Sequence, residues 1–569
     1  MRIGFAFSAF LLLSLGWNFS SLAQDDIVNI TRTYEPTISE ARKPDFRPTI
    51  QDTLQVQPSF DYRIVPVQLS MSFRPEPIRA AKLIPSREEY RYGNFIRLGF
   101  GTNISPLVDV RLFHTYKRSW KLGLEAKHES AFPKFSLNDK DYYPHFNRSE
   151  LKMTGTRFHH RNQIRTEIGF VSEGAPFYGF DFDSGIIPAF DSLSNRQVSV
   201  LNAAAQFKSL NLSRNYFKID YDFDYYFLFD NAETREHGVS LGAMATKGLR
   251  SYDLNLPLKL ELFHWTNPDS TRTNVNIRFN PFVSKEKDEW KAILGLNSAT
   301  KLDANDEWRF FIYPNLQFEF ALAEEYLHSY FGFTGEMKDN FFFSTYSDNP
   351  FVSGSYWLKP TEIRKNIFVG VRGLITSQLK YHVKASYLEY RDLMLYRGEW
   401  NTMNTYQFQP LYTNADRFNG LLEVTYSFKN DLQVGLVLNY DQYFSFSQPQ
   451  EFPNSAIESP YFIPNWNGNL FARYDYNQYL SFSTDFTFLS NRTALNLSTY
   501  DPLGMPILPI FMEENLGEVY QWNLGVDYKY NSKVTAFLKL ENLLGQKYWI
   551  YDNYPSQGFR ARIGVSYFF

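Results

Sequence analysis

The sequence predicts an all-β fold: a transmembrane antiparallel β-barrel of roughly 20 to 22 strands behind a short proline-rich N-terminal periplasmic segment. Three observations carry this. Segments of alternating apolar and polar residues recur through residues 92–569. Aromatic residues make up 18% of the 569, with 54 Phe and 39 Tyr, yet mean hydropathy is only -0.38. That pairing suits alternating strands rather than bundled membrane helices, which need unbroken apolar runs of about 20 residues. Finally, the connections between the alternating segments are short and long by turns, the asymmetry of barrels with tight periplasmic turns and longer outer loops.

The chain begins differently. Arg2, an apolar run at residues 5–17 and the small-residue site Ser21-Leu22-Ala23 read as a signal peptide over residues 1–23, so that the mature protein begins at Gln24. There is no cysteine, which excludes a lipidated cysteine, a disulfide scaffold and Cys-ligated zinc. Lys and Arg total 58 against 61 Asp and Glu, and a net charge of -3 offers no basis for a nucleic-acid partner. Residues 24–91 carry Pro36, Pro44, Pro48, Pro58, Pro66, Pro75, Pro77 and Pro85. These preclude a long helix and favour extended or polyproline-like chain. Pro36-Thr37-Ile38 recurs as Pro48-Thr49-Ile50. This segment reads as a periplasmic leader, a short plug or a partner-docking strand.

Residues 92–569 form the barrel. Each spanning strand needs about 9 to 11 residues, apolar toward lipid and polar toward the lumen. Phe217, Ile219, Tyr221, Phe223, Tyr225, Phe227 and Phe229 alternate with Lys218, Asp220, Asp222 and Asp224. Leu254, Leu256, Leu258, Leu260 and Leu262 interleave with Asn255, Lys259 and Glu261. Trp522, Leu524, Val526, Tyr528 and Tyr530 do so with Asn523, Asp527 and Lys529. A soluble sandwich also alternates, but strand length and the lopsided loops favour the barrel. Counting back from a last strand that ends in the periplasm, residues 543–558, 491–517, 445–463 and 391–414 are long outer loops. Residues 531–532, 476–478 and 429–431 are short inner turns. A barrel this wide cannot fill its lumen with wall side chains, so it conducts water or is plugged.

At the C-terminus, Phe559, Ala561, Ile563, Val565, Tyr567 and Phe569 alternate with Arg560, Arg562 and Ser566. This resembles the terminal signal read by outer-membrane barrel assembly machinery, and implies that Phe559, Ile563, Val565, Tyr567 and Phe569 form it. Upstream, Leu540-Glu541-Asn542-Leu543-Leu544-Gly545-Gln546-Lys547-Tyr548 and Tyr554-Pro555-Ser556-Gln557-Gly558-Phe559-Arg560 resemble the end of TonB-dependent receptor barrels. Tyr34-Glu35-Pro36-Thr37-Ile38 and Tyr92-Gly93-Asn94-Phe95-Ile96-Arg97-Leu98-Gly99-Phe100-Gly101 resemble receptor-like barrels of Bacteroidetes. The resemblance implies a multi-pass barrel in a Gram-negative outer membrane, with lipid and the assembly machinery as partners; the chain is expected not to be an enzyme, with an outer-membrane lipase or protease the remote alternative, since a serine, histidine and acid set inside a barrel leaves no spacing to read. In one respect the chain departs from true receptors, whose plug is a domain longer than residues 24–91 can supply. Asp26-Ile27-Val28-Asn29-Ile30 has the character of a box that pairs with TonB by strand addition, and TonB contact stays open.

Nine scattered His without HExxH spacing give no expectation of a catalytic, cofactor or metal site. Asn138, Asp139 and Asp141, or Asp181 and Asp183, offer oxygen ligands of the kind calcium takes, with solvated loop charge the simpler reading. Gly99-Phe100-Gly101 and Gly332-Phe333-Thr334-Gly335 sit where glycine lets a strand bend. Asp220, Asp222 and Asp224 should face the lumen, where a row of carboxylates favours cations, unless Lys or Arg on a neighbouring strand neutralises it. Two roles follow as expectations. One is a receptor-like or transport barrel passing or capturing a solute; the other is a structural or assembly subunit that grips other envelope proteins.

Overall fold

The computed structural model describes residues 94–569 apart from short segments, chiefly 180–194, 211–215, 303–307, 401–405, 449–456 and 501–505. The expected signal peptide, the leader with its possible TonB box, and the calcium candidates Asn138, Asp139, Asp181 and Asp183 lie outside the described residues.

Lipid offers backbone groups no hydrogen-bonding partner, so a spanning sheet must close on itself. Here 22 antiparallel strands do so, the upper end of the expected count. The seam joins Phe95–Gly101 to Arg560–Phe568, with Phe95 opposite Phe568 and Gly99 opposite Gly564. The first strand's other edge pairs with Leu107–Tyr116. Period-two alternation then sorts the side chains. Leu98, Phe100, Ile563 and Val565 stand on the outer face, 48–65% exposed in the isolated chain, while Arg97 turns inward. Its Nε donates to Ser566 Oγ at 2.9 Å across the seam, and its guanidinium lies 5.4 and 5.5 Å from the ring centroids of Phe95 and Phe537. The Phe537 ring fills the space above Gly99 and Gly564: a Cβ on Gly564 would come within 2.4 Å of that ring and 2.2 Å of the Leu98 carbonyl oxygen.

Inner turns are tight. His160, Arg250 and Lys429 take positive φ values of 45°, 46° and 50°, left-handed backbone of the kind that tight hairpin turns use. Outer connections are longer, as expected, but two of them are not irregular loops. Strands Leu379–Trp400 and Tyr406–Phe428, of 22 and 23 residues, run on through residues 391–414 as one long hairpin. Residues 491–517 contain a second hairpin, Thr493–Tyr500 with Pro506–Asn515, whose edge meets the first in parallel at Gly398 and Asn496. Leu393, Leu395, Tyr406, Phe408 and Leu411 are all buried there. With apolar side chains on both faces, the alternation that marks a membrane strand is lost, and the sequence reads as loop.

Gly564→Val is expected to destabilise the refolded barrel by at least about 1–3 kcal/mol through overpacking at the seam, read as a lower urea midpoint. An unchanged midpoint would show that the seam tolerates a side chain there.

Candidate functional site

Cross-strand register builds an inner wall from Lys218–Asp230, Arg235–Leu249, Tyr252–Thr266 and Thr271–Phe279. Four inward rows ascend it: Asp222, Gly242, Lys259 and Arg278; Asp224, Ser240, Glu261 and Asn276; Tyr226, Gly238, Phe263 and Asn274; then Leu228, Glu236 and Trp265. Tyr221, Phe223, Leu241, Leu258 and Leu260 occupy the outer face of the same strands, 38–50% exposed. The wall therefore grades from charged to apolar toward the outer mouth.

Asp220, Asp222 and Asp224 do not act as one row. Asp220 lies 3.1 Å from Lys218 Nζ and accepts the Ser209 N–H at 2.8 Å. Among the described residues nothing donates a hydrogen bond to Asp222 or Asp224, because the neighbouring Lys259 sits 2.7 Å from Glu261. Beyond strand Asn195–Ser209, along the same side of the barrel, the wall is more evenly paired. Lys152 lies 3.1 Å from Glu125, Lys127 3.1 Å from Glu129, and Arg148 3.0 Å from Glu173. Phe559, Ile563, Val565, Tyr567 and Phe569, the expected assembly signal, are 40–65% exposed. Trp522 and Tyr530, at 43% and 69%, stand toward opposite ends of strand Val519–Lys529.

The outer mouth is spanned from within. Strand Leu327–Lys338 shifts register between Thr334 and Glu336, at the expected flexible glycines, and its partner Thr361–Thr376 shifts across the same step. Gly335 permits this bend, since a Cβ would lie 2.9 Å from Tyr313 Cβ and from the Arg364 carbonyl oxygen. Beyond it Met337 packs on Ala299 and Tyr313 of the wall. The following loop, residues 339–360, runs inward along the rows: Asp339 contacts Arg278, and Phe341 stacks on Phe263 with ring centroids 4.8 Å apart. Helix Phe342–Asp348 then begins against Glu236, which is buried. The carboxylate accepts the N–H groups of Phe342 at 2.7 Å and Phe343 at 3.1 Å, and the Tyr226 hydroxyl at 2.6 Å. These are donors that a helix start leaves without an intrahelical acceptor, and negative charge is favoured there.

A second anchor is Arg196, 3% exposed. It donates to Asp230 at 3.1 and 2.9 Å and to the Val352 carbonyl, and lies 5.1 Å from the Phe342 ring centroid. On the far side the loop joins the long hairpin: Ser353 N–H donates to the Phe408 carbonyl at 2.8 Å, and Phe351 stacks on Tyr554 at 3.6 Å. The Tyr554 hydroxyl donates to the Tyr406 carbonyl at 2.5 Å, and the Tyr406 hydroxyl donates to Asp552 at 2.6 Å. The hairpin's other face packs Leu395 and Leu411 against Ile457, Tyr461 and Leu495. Burial raises the Asp552 carboxyl above the usual carboxylate range. It raises Asp339 too, against the opposing pull of Arg278.

Beneath the loop base is a cavity of about 410 Å³, bounded by the wall rows and by residues 336–339 and 341. Among the described residues no group of three His, Cys, Asp or Glu is placed to hold a metal ion. Glu236, Arg196 and Asp230 were not legible as a set, because each is an ordinary strand-end charge in sequence. The available signal was in the loop, where Phe341, Phe342, Phe343, Tyr346, Phe351 and Val352 make an outer connection too apolar to lie in solvent.

No known family model matches the chain, and no curated protein sequence is similar to it. Solved structures do share its fold. The FrpB iron transporter from Neisseria meningitidis superposes with a TM-score of 0.64 at 9% identity, covering 84% of this chain and 81% of that one. The copper transporter OprC gives 0.60 at 12%, covering 84% and 80%. The ferric-catecholate import receptor Fiu from K12 E. coli gives 0.60 at 9%, covering 84% and 82%. With its apolar outer belt and closed 22-strand wall, the chain is a multi-pass outer-membrane β-barrel.

Glu236→Ala orphans the buried Phe342 N–H, at about 1–3 kcal/mol for such a group, and the half-buried Phe343 N–H and Tyr226 hydroxyl. Protease added from the outer side is therefore expected to cut within residues 342–358 faster than in the wild type, while the barrel keeps its heat-modifiable mobility in SDS. Equal cleavage rates would show that this carboxylate does not anchor the loop.

Proposed function

We propose that this protein is a receptor or transport barrel, not an enzyme, that captures a solute at the outer membrane and passes it through a lumen gated by residues 339–360. The observation that carries this reading is how the gate is held. A loop on a barrel too wide to be filled by its own wall reaches inside the mouth and is tied by two separable polar anchors, Glu236 to the helix start and Arg196 with Asp230 to Val352. The structural likenesses support the same class of task, since those proteins are described as a copper transporter, an iron transporter and an import receptor. In this reading the aromatic terminal strand is the address for the assembly machinery, and the outer belt faces lipid. A TonB contact would fall to residues 26–30.

A second reading, a platform subunit that grips other envelope proteins, draws on one observation. The hairpin at residues 391–414 is buried on both faces, as in the interior of a stable domain.

Conductance in a planar bilayer separates the two. Asn340 Nδ2 donates to the Lys359 carbonyl at 2.8 Å and to Thr361 Oγ1 at 3.0 Å, so residues 341–358 can be replaced by a short turn without stretching the hairpin base. The wild type is expected to be silent, and the loop-excised form to conduct, alone or once residues 24–91 are also removed. If all three forms fold and none conducts, the transport reading falls and the platform reading stands.

A further inference from the structure

The cavity under the loop base points to a class of solute, an inference that rests on the receptor reading above. It is lined by Asp224, Ser240, Lys259, Glu261, Arg278 and Asp339, with the rings of Tyr226, Phe263 and Phe341 beside them. Two of its basic groups are already engaged. Lys259 lies 2.7 Å from Glu261 Oε1; Arg278 lies 3.0 Å from Glu261 Oε2 and touches Asp339. Lys338 stands exposed at the rim.

Among what remains acceptors outnumber donors, the buried donors left without a hydrogen bond being Arg278 Nε in the lining and Asn276 Nδ2 beside it. No described residue donates a hydrogen bond to Asp224, to Asp222 one row below, or to Glu336. The Asp339 side chain is only 9% exposed, and its Oδ1 is buried without a hydrogen bond, as is Ser240 Oγ. A buried acceptor left empty is costly, so the pocket calls for a ligand rich in donors. A carboxylate or phosphate would meet Asp224 and Asp222 and find Lys259 and Arg278 already taken. An ammonium or guanidinium has donors and no acceptor, and aromatic faces attract it further.

We propose that this pocket binds a small organic cation, an amine- or guanidinium-bearing solute, with its charged group on the carboxylates of Asp224 and Asp339 and its carbon chain along Phe263 and Phe341.

The test is calorimetric titration of the full-length protein in detergent with spermidine as the cationic probe and glutarate as the anionic one. Spermidine should bind at low ionic strength and glutarate should not. Asp224→Asn should weaken spermidine binding by about tenfold or more, the usual scale for one charge-assisted hydrogen bond. Asp485→Asn, which alters a wall carboxylate held by Asn523, should leave the affinity unchanged. Heat-modifiable mobility in SDS checks that each variant is folded. Undetectable spermidine binding, equal binding of glutarate, or equal effects of the two substitutions would overturn the proposal. The conductance comparison judges the transport reading separately: a loop-excised barrel that conducts while the protein ignores spermidine overturns the pocket alone. Spermidine binding with no conducting form overturns transport and leaves the pocket standing.

Discussion

Closure of the sheet between Phe95–Gly101 and Arg560–Phe568 is the constraint on which the rest depends. An unpaired strand edge in hydrocarbon would expose a column of backbone donors and acceptors, each costing several kcal/mol. The first and last strands must therefore meet, and the number of strands between them fixes the width of the lumen. At 22 strands the wall side chains cannot reach across. Whatever occupies the mouth has to come from the loops or from another segment, and residues 339–360, the two outer hairpins and the residues around Tyr461 and Tyr554 are among what the described chain supplies.

Three environments result, each with its own rule for side chains. Outside, Leu98, Ile168, Val369 and Ile563 gain by facing lipid. On the inner wall, charges such as Glu125, Lys152, Arg148 and Glu173 are solvated and paired. Above the membrane, the mouth cluster behaves like the interior of a soluble protein: Phe408, Leu411 and Tyr554 are fully buried, at about 1.5–3 kcal/mol for each such apolar side chain. Those aromatics hold the cap together. The anchors act differently: the Arg196–Asp230 pair contributes little net stability once its desolvation is counted, and Glu236 is a lone carboxylate held by N–H and hydroxyl donors. Their effect is to fix where the loop sits, since only one placement satisfies all their donors and acceptors.

Legibility in the sequence divided along the same lines. Wherever a strand separates lipid from water, the period of two was visible, and segments such as Leu254 to Leu262 could be assigned a face from sequence alone. Turns and the closing strand followed from that count. What stayed hidden were the elements without a two-sided environment. Leu393, Leu395, Phe408 and Leu411 sit in strands buried on both faces, so nothing alternates. Helix Phe342–Asp348 has seven residues, too few to show a helical period, and it takes its start from Glu236, 106 residues away in the chain. The row of Asp220, Asp222 and Asp224 was legible as a row but not in its chemistry. Whether a carboxylate is neutralised depends on which basic side chain the next strand brings opposite it, and Lys259, the nearest one, makes its contact with Glu261.

Arg278 ties the cavity to the gate. It bridges the wall carboxylate Glu261 and the loop carboxylate Asp339, so the loop's inward position and the charge state of the cavity share one guanidinium. A solute shifts a two-state loop only by the difference in its affinity for the two states. Because Asp339 belongs to the loop and Glu261 to the wall, any occupant that touches both binds the inward state better and holds the mouth shut over itself. An occupant that draws Arg278 away from Asp339 removes one of the loop's contacts and favours release. In the receptor reading, capture and opening are therefore opposite consequences of a single side chain, decided by which of its two carboxylate partners a cationic solute takes from it.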